Sequence, residues 1–155
     1  MMHRLQTIGS IEESIAPPFT LPSARDGKPV SLNVLRQRQP VALLFVASSG
    51  DVPSVIQRLT ERLSDFRDVG SAVLVVVRES PSTVPEAFPV LVDDAGQVFR
   101  QYGCLSERDV FLFGLDRYGA VVHQDASPAE QLESALRRLL ESIQFSEMQC
   151  PECGI

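Results

Sequence analysis

The chain has too few cysteines, too little clustered positive charge and too little continuous apolar sequence for several classes of protein. Its 155 residues include three cysteines, two of them in the last six positions. A sparse, odd set excludes a disulfide scaffold and leaves Cys104, Cys150 and Cys153 as the chemical question. The net charge is -6, from 20 acidic and 14 basic residues. The densest basic spots are Arg36 with Arg38 and Arg137 with Arg138, whereas a phosphate-backbone binder needs a basic stripe, so nucleic acid is not an expected partner. The longest apolar runs, Val41 to Ala47 and Ala72 to Val77, fall far short of the ~20 residues that span a bilayer, and no membrane segment is expected. The N-terminal stretch MMHRLQTIGSIEESIAPP lacks the apolar core of a secretory signal. A cytoplasmic location, where thiols stay mostly reduced, is therefore the expectation. Internal repeats, low-complexity segments, a glycine-rich phosphate loop and a supported Ser-His-Asp set are absent as well.

What is there is an ordinary globular composition, 44% hydrophobic and 22% charged. A chain of this length buries roughly 70% of its unfolded surface, so it folds as one domain without a metal or disulfide staple. Pro17 and Pro18 forbid a regular helix at that point and set residues 1–15 apart as an arm. Phe19 to Leu21 and Val30 to Leu32 flank Asp26-Gly27, a hairpin signal, and Ser31 to Leu35 opens a short helical turn. Val41 to Val46 is continuously apolar, the mark of a strand buried on both faces. Val52, Val55, Ile56, Leu59, Leu63 and Phe66 recur at spacings of three and four and predict a helix from Val52 to Asp68. Asp51 is placed to cap that helix and Gly70 to stop it. With Ala72 to Val77 as the next apolar strand, the order is a βαβ unit with parallel strands. A short strand Val90 to Val92 and a helical turn Gln97 to Tyr102 follow. Val110 to Leu115 and Ala120 to His123 form an antiparallel hairpin about Asp116 to Gly119. Ser127, Pro128 and Glu130 spell a capping box for a last helix, with Leu132, Ala135, Leu136, Leu139, Leu140 and Ile143 as its buried stripe. The fold class is α/β in one domain over 16–145, with a polar tail over 146–155.

This order resembles the thioredoxin-like fold in its redoxin branch, which holds peroxiredoxins of the alkyl hydroperoxide reductase/thiol-specific antioxidant type and thiol-disulfide oxidoreductases. Local phrases carry the resemblance too. APPFTLPSARDGKPVSLNVLRQRQPVALLF (16–45) resembles the redoxin opening, and VLVDDAGQVFRQYG (90–103) and FLFGLDRYGAVVH (111–123) resemble its later phrases. The match runs over about 15–143. It implies a three-layer α/β/α arrangement, with an N-terminal hairpin and a central mixed sheet built from the βαβ unit and an antiparallel hairpin.

In that fold the reactive thiol sits where the first central strand turns into its helix, because free N–H groups and the helix dipole lower a thiol pKa there. This chain departs from the pattern. On a Cys-x-x-Cys spacing Gly50 and Pro53 occupy the cysteine slots, and on a Thr-x-x-Cys spacing Asp51 and Ser54 occupy the threonine and cysteine slots. The resemblance implies a cis-proline near Val110, which is absent, or an arginine there, where Arg108 lies two residues earlier. A serine hydroxyl does not replace a thiol in peroxide reduction, since it barely ionises and forms no sulfenate. Ser48, Ser49, Asp51 and Arg108 thus outline the remnant of a site without its sulfur, and the expectation is a non-catalytic binding or regulatory module acting on a protein partner or as a homodimer.

The remaining sulfur defines the competing expectations. Cys104, at the loop before the hairpin, reads either as a small buried hydrophobe or as a displaced redox thiol. The tail sequence Cys150-Pro-Glu-Cys153-Gly serves either reversible disulfide exchange, with Cys104 in an atypical thiol-disulfide oxidoreductase or antioxidant, or a half-site for zinc, or no defined role. Zinc takes about four ligands, so His3, His123, Cys104 or a second subunit would have to complete the set. The last helix is expected to start at the thiol edge and carry the tail away from it. His123 itself, Asp93, Asp94 and Asp116 read as edge and turn residues.

Overall fold

The computed structural model describes residues 15–35 and 39–149, with only the backbone of Leu35. The arm up to residue 14, Arg36 and Arg38, and Cys150 and Cys153 lie outside the described residues. Thr20–Pro22 (β1) and Pro29–Ser31 (β2) pair antiparallel as the N-terminal hairpin, one residue displaced from the expected bounds. A helical turn, Leu32–Leu35 (α1), leads towards Val41–Val46 (β3), followed by the 3-10 turn Ser49–Asp51 and the helix Val52–Asp68 (α2). Then come Ala72–Val77 (β4), Val90–Val92 (β5), Gln97–Gln101 (α3), Asp109–Leu115 (β6), Val121–Pro128 (β7), a 3-10 turn Ala129–Gln131, and Leu132–Met148 (α4).

The main sheet has the order β5-β4-β3-β6-β7. β3 and β4 run parallel with Val41 opposite Ala72, β4 and β5 run parallel, and β6 and β7 continue antiparallel. All six residues of β3 are buried, as an unbroken apolar run at the centre of a sheet requires. Side chains alternate between faces along a strand, and the two cores follow that alternation. Ala42, Leu44 and Val46 pack with β4, α2 and α4 on one face. Val41, Leu43 and Phe45 pack on the other face with the hairpin, α3 and Cys104. The arrangement is the expected three-layer, thioredoxin-like one.

The face towards α2 and α4 is almost entirely aliphatic. Val52, Val55, Leu59, Leu63 and Phe66 are the buried stripe of α2, and Leu132, Ala135, Leu136, Leu139 and Ile143 that of α4. Gly114 makes the close approach of α4 to β6 possible, since a Cβ there would stand 3.2 Å from Leu139 and Ile143. The opposite face is aromatic. Phe45 touches Phe99, Tyr102 and Phe113 with ring centroids 5.2, 5.0 and 5.7 Å away, and the Tyr102 hydroxyl donates to the Pro17 carbonyl at 2.5 Å. One polar tip thereby ties the chain entering the hairpin to the sheet.

Three local expectations are corrected. Ser127 and Pro128 do not open the last helix; they end β7, paired with Val110 and Asp109, and α4 starts only at Leu132 after a 3-10 turn. Ser127 is 3% exposed and its hydroxyl donates to the Pro128 carbonyl, so it is spent before it reaches a helix N–H. β7 is correspondingly longer than the strand ending at His123, because the ladder to β6 carries through its polar half. Asp51 makes no side-chain cap either; its backbone is helical and its N–H closes the 3-10 turn on Ser48. Gly70 ends α2 as expected, with a φ of 77°.

Candidate functional site

β3 and β4 are parallel, so their C-terminal ends share one edge of the sheet, and Val110 near the start of β6 sits beside Val46 at the same edge. The segments that leave these strands therefore meet there. Ala47, Ser48, Ser49, Arg78, Glu79, Asp94, Glu107 and Arg108 line an open cleft of about 760 Å³. Its lining carries two guanidinium groups, three carboxylates and two hydroxyls.

Arg78 is the fixed element of this cleft. It follows β4 directly, and its Nε and Nη2 donate to the carbonyls of Asp93 and Asp94 at 3.0 and 3.1 Å. The guanidinium lies 5.7 Å over the Phe99 ring. Gly96 accommodates it, since a Cβ at that position would stand 2.9 Å from Arg78 Cζ, and the φ of 73° there also favours glycine. Asp93 holds the other side of the turn: it is 3% exposed and its Oδ2 accepts the Phe99 N–H at 2.9 Å. The expectation that Asp93 is only a turn carboxylate misses this anchoring role. Arg78 has no signal of its own in the sequence, because its partners are main-chain carbonyls; Gly96 after two aspartates is the visible trace.

The β3–α2 junction supplies the rest. Ser48 has extended backbone geometry and makes no side-chain cap. Gly50, Pro53 and Ser54 are exposed, the last two in the first turn of α2. Arg108 is exposed at the cleft, with its N–H on the Ser106 hydroxyl at 3.1 Å. No cis peptide occurs among the described residues, at Val110 or elsewhere. Of the expected Ser48, Ser49, Asp51 and Arg108, the cleft lining holds Ser48, Ser49 and Arg108 but not Asp51; it adds Arg78, and it offers hydroxyls and charges, since no cysteine precedes residue 104.

The family model for the AhpC/TSA family matches residues 13–124. The chain belongs to the AhpC/TSA family. No curated protein sequence matches it significantly. Solved structures share the fold. A Plasmodium vivax 2-Cys peroxiredoxin in its reduced form is 20% identical, with a TM-score of 0.69 over 89% of this chain and 99% of that one. Peroxidoxin BcpB from Mycobacterium tuberculosis is 20% identical with a TM-score of 0.65, covering 84% of this chain and 94% of its own. A Chlorobium tepidum protein described as a thiol:disulfide interchange protein DsbE is 24% identical with a TM-score of 0.66, over 83% and 95%.

Within this AhpC/TSA chain the one described thiol is away from solvent. Cys104 is 4% exposed in the aromatic-side core, and its N–H donates to the Phe99 carbonyl at 2.8 Å. Burial pushes its thiol far above the ordinary range, so it stays protonated at neutral pH. α4 packs on the other face of the sheet and starts at the cleft edge, just after Pro128 opposite Asp109. It ends beyond Glu147, whose carboxylate takes the Arg117 guanidinium at 2.5 Å in the turn at the far edge. The helix thus ends, at Met148, on the face and at the edge that do not hold Cys104 and the cleft. Among the described residues no group of three or more His, Cys, Asp or Glu is arranged to hold a metal. His123 has its Nδ1 2.8 Å from the Ser142 hydroxyl, and burial lowers its pKa against the opposing pull of Asp125, with Arg138 adding to the lowering.

Proposed function

We propose that this AhpC/TSA-family chain has lost the catalytic thiol and uses the β3–β4 edge as a binding surface for a protein partner. One observation carries the reading: the accessible polar cleft holds a clamped guanidinium, a second arginine and two serines, while the described thiol, Cys104, is buried and protonated. Peroxide reduction needs a thiolate that attacks the O–O bond, becomes a sulfenate and releases water. A Ser54 hydroxyl forms no such product. The Arg78 Nη1, with no partner among the described residues, is already oriented by its other nitrogens, and a preoriented guanidinium favours a carboxylate on the incoming surface. A reducing compartment such as the cytoplasm suits the reading, because three free thiols persist there.

The test is turnover. The full chain with hydrogen peroxide and dithiothreitol, and separately with insulin as a disulfide substrate, is expected to run at the rate of buffer alone. Turnover that substitution of Cys104, Cys150 or Cys153 abolishes would overturn the reading in favour of an atypical thiol-disulfide oxidoreductase or antioxidant. Metal analysis of chain prepared without chelator decides the zinc half-site at Cys150 and Cys153, for which about one zinc per two chains is the expected content of a shared four-thiolate site.

A further inference from the structure

An open, mainly apolar groove of about 1020 Å³ lies between the β6–β7 turn, β7 and α4. At its wall a serine, a histidine and an aspartate stand in contact order, which no spacing in the sequence announces because they come from β7 and α4. Ser142 Oγ is 2.8 Å from His123 Nδ1, and Asp125 Oδ2 is 3.8 Å from His123 Nε2. A serine inside a helix often returns its hydroxyl to a backbone carbonyl, as Ser146 does to that of Ile143 at 2.9 Å. Ser142 spends its hydroxyl on the imidazole instead. The carboxylate beside Nε2 selects the tautomer protonated there, so the Ser142 O–H donates to Nδ1. Nε2 has no hydrogen-bond partner among the described residues, which leaves Asp125 to draw in when the ring gains charge. Burial holds the His123 pKa below the ordinary imidazole value, with Asp125 opposing and Arg138 adding, so at neutral pH the ring is uncharged and free to take a proton.

We propose that Ser142 is an activated nucleophile that hydrolyses uncharged carboxylic esters, with His123 as its general base and Asp125 as the residue that positions the ring. The roles are those of a nucleophile, a base and an orienting carboxylate, with the two ring nitrogens exchanged. Ser142 Oγ bonds the acyl carbon while its proton passes to Nδ1; the ester C–O bond then breaks, and the leaving alkoxide takes that proton and departs as the alcohol. Water next gives a proton to Nδ1 and its oxygen to the acyl carbon. The acyl–Oγ bond breaks and Oγ recovers the proton, so ester and water become acid and alcohol. Arg138 precedes Ser142 by four residues of α4, which puts both on one helix face. Its Nε and Nη2 hold Asp125 Oδ2 at 2.9 and 2.8 Å, and its Nη1, with no partner among the described residues, is the donor for the oxyanion. Both arginines of the groove are paired, Arg117 with Glu147 and Arg138 with Asp125, whereas Asp116 and Glu141 have no ion pair among the described residues. The uncompensated carboxylates disfavour an anionic substrate, and the apolar wall at Val122 and Phe145 suits an apolar acyl chain. The groove lies away from the β3–β4 edge, so the inference stands or falls separately from the binding reading.

The probe is an alkyl fluorophosphonate, whose phosphorus bonds an activated serine oxygen with loss of fluoride and leaves ordinary hydroxyls untouched. In the full chain, mass spectrometry is expected to find the adduct on the Ser142 peptide, and Ser142→Ala to abolish it with unchanged circular dichroism. His123→Gln keeps the serine and removes the base, and labelling should fall about a hundredfold. The wild-type chain is expected to hydrolyse para-nitrophenyl butyrate faster than Ser142→Ala does. Asp125→Asn should lower kcat for that ester with KM unchanged, the mark of a residue that positions the base and does not bind substrate. A wild-type chain unlabelled at Ser142, equal labelling in His123→Gln, or ester hydrolysis no faster than that of Ser142→Ala would overturn the inference.

Discussion

Cys104 and the cleft at the ends of β3 and β4 belong to one fold and have opposite surroundings. Cys104 is closed in by an apolar layer whose neighbours include Phe99 and Tyr102, and its thiol is held neutral by burial. The cleft is open, charged and built about a guanidinium that two carbonyls hold in place. Thiol redox chemistry needs both properties in the same spot: a sulfur that ionises, and access for the oxidant. Here the accessible cleft has hydroxyls, and the one described thiol, Cys104, has no access. Under the proposed function, this difference is how a chain keeps the family's architecture with an edge suited to contact.

The strongest way to break this separation is to open the apolar side. Phe45→Ala removes a fully buried ring that touches Phe99, Tyr102 and Phe113, and should cost about 3–5 kcal/mol in urea denaturation. Alkylation of Cys104 in the native state should accelerate with it. Loss below about 1 kcal/mol would show that the aromatic layer is not what closes over the thiol.

The polar side should respond independently. Arg78→Met deletes both carbonyl contacts and the charge over Phe99, and an expected loss of about 1–3 kcal/mol follows from the unpaired carbonyls. Amide exchange should rise around 93–99 while Cys104 stays unreactive. Faster labelling of Cys104 in this variant would mean that the two regions are coupled.

The thiol also predicts a pH dependence. Its folded pKa is raised, so the neutral form belongs to the folded chain and the stabilisation is complete below the ordinary thiol pKa of about 8.5. Above that pH only the unfolded chain ionises, and stability should fall by about 1.4 kcal/mol per pH unit from this group. The urea midpoint of wild type relative to Cys104→Ala, followed from pH 8 to 10, isolates the slope; equal slopes would place the thiol in water.

The smallest effect is expected at the cleft's helix. Asp51 makes no side-chain cap, so Asp51→Ala should change stability by less than about 0.5 kcal/mol, against about 1 kcal/mol for a functioning cap. A full-sized loss would restore the capping role that the sequence suggests.

Much of the architecture is legible from pattern alone, and the reasons are local. Val41 to Val46 and Ala72 to Val77 are buried on both faces, which leaves uninterrupted apolar runs, and α2 is buried on one face, which leaves the three-four spacing from Val52 to Phe66. The second half of β7 is not legible, because an edge strand needs little burial and Gln124-Asp125-Ala126-Ser127 reads as polar chain before a capping box. There the cross-strand ladder outweighs the local capping signal. At the site, Ser48 and Ser49 follow from their place at the β3–α2 junction and Arg108 from the family resemblance, whereas Arg78 does not follow from either, since its position depends on backbone carbonyls fifteen and sixteen residues away.

The separation of sulfur from access is tested most directly by exposing the native chain to hydrogen peroxide with dimedone present and following the Cys104 peptide by mass spectrometry. The account predicts no sulfenic acid adduct at Cys104 over a period in which the urea-unfolded chain is modified. An adduct at Cys104 in the native chain would contradict it.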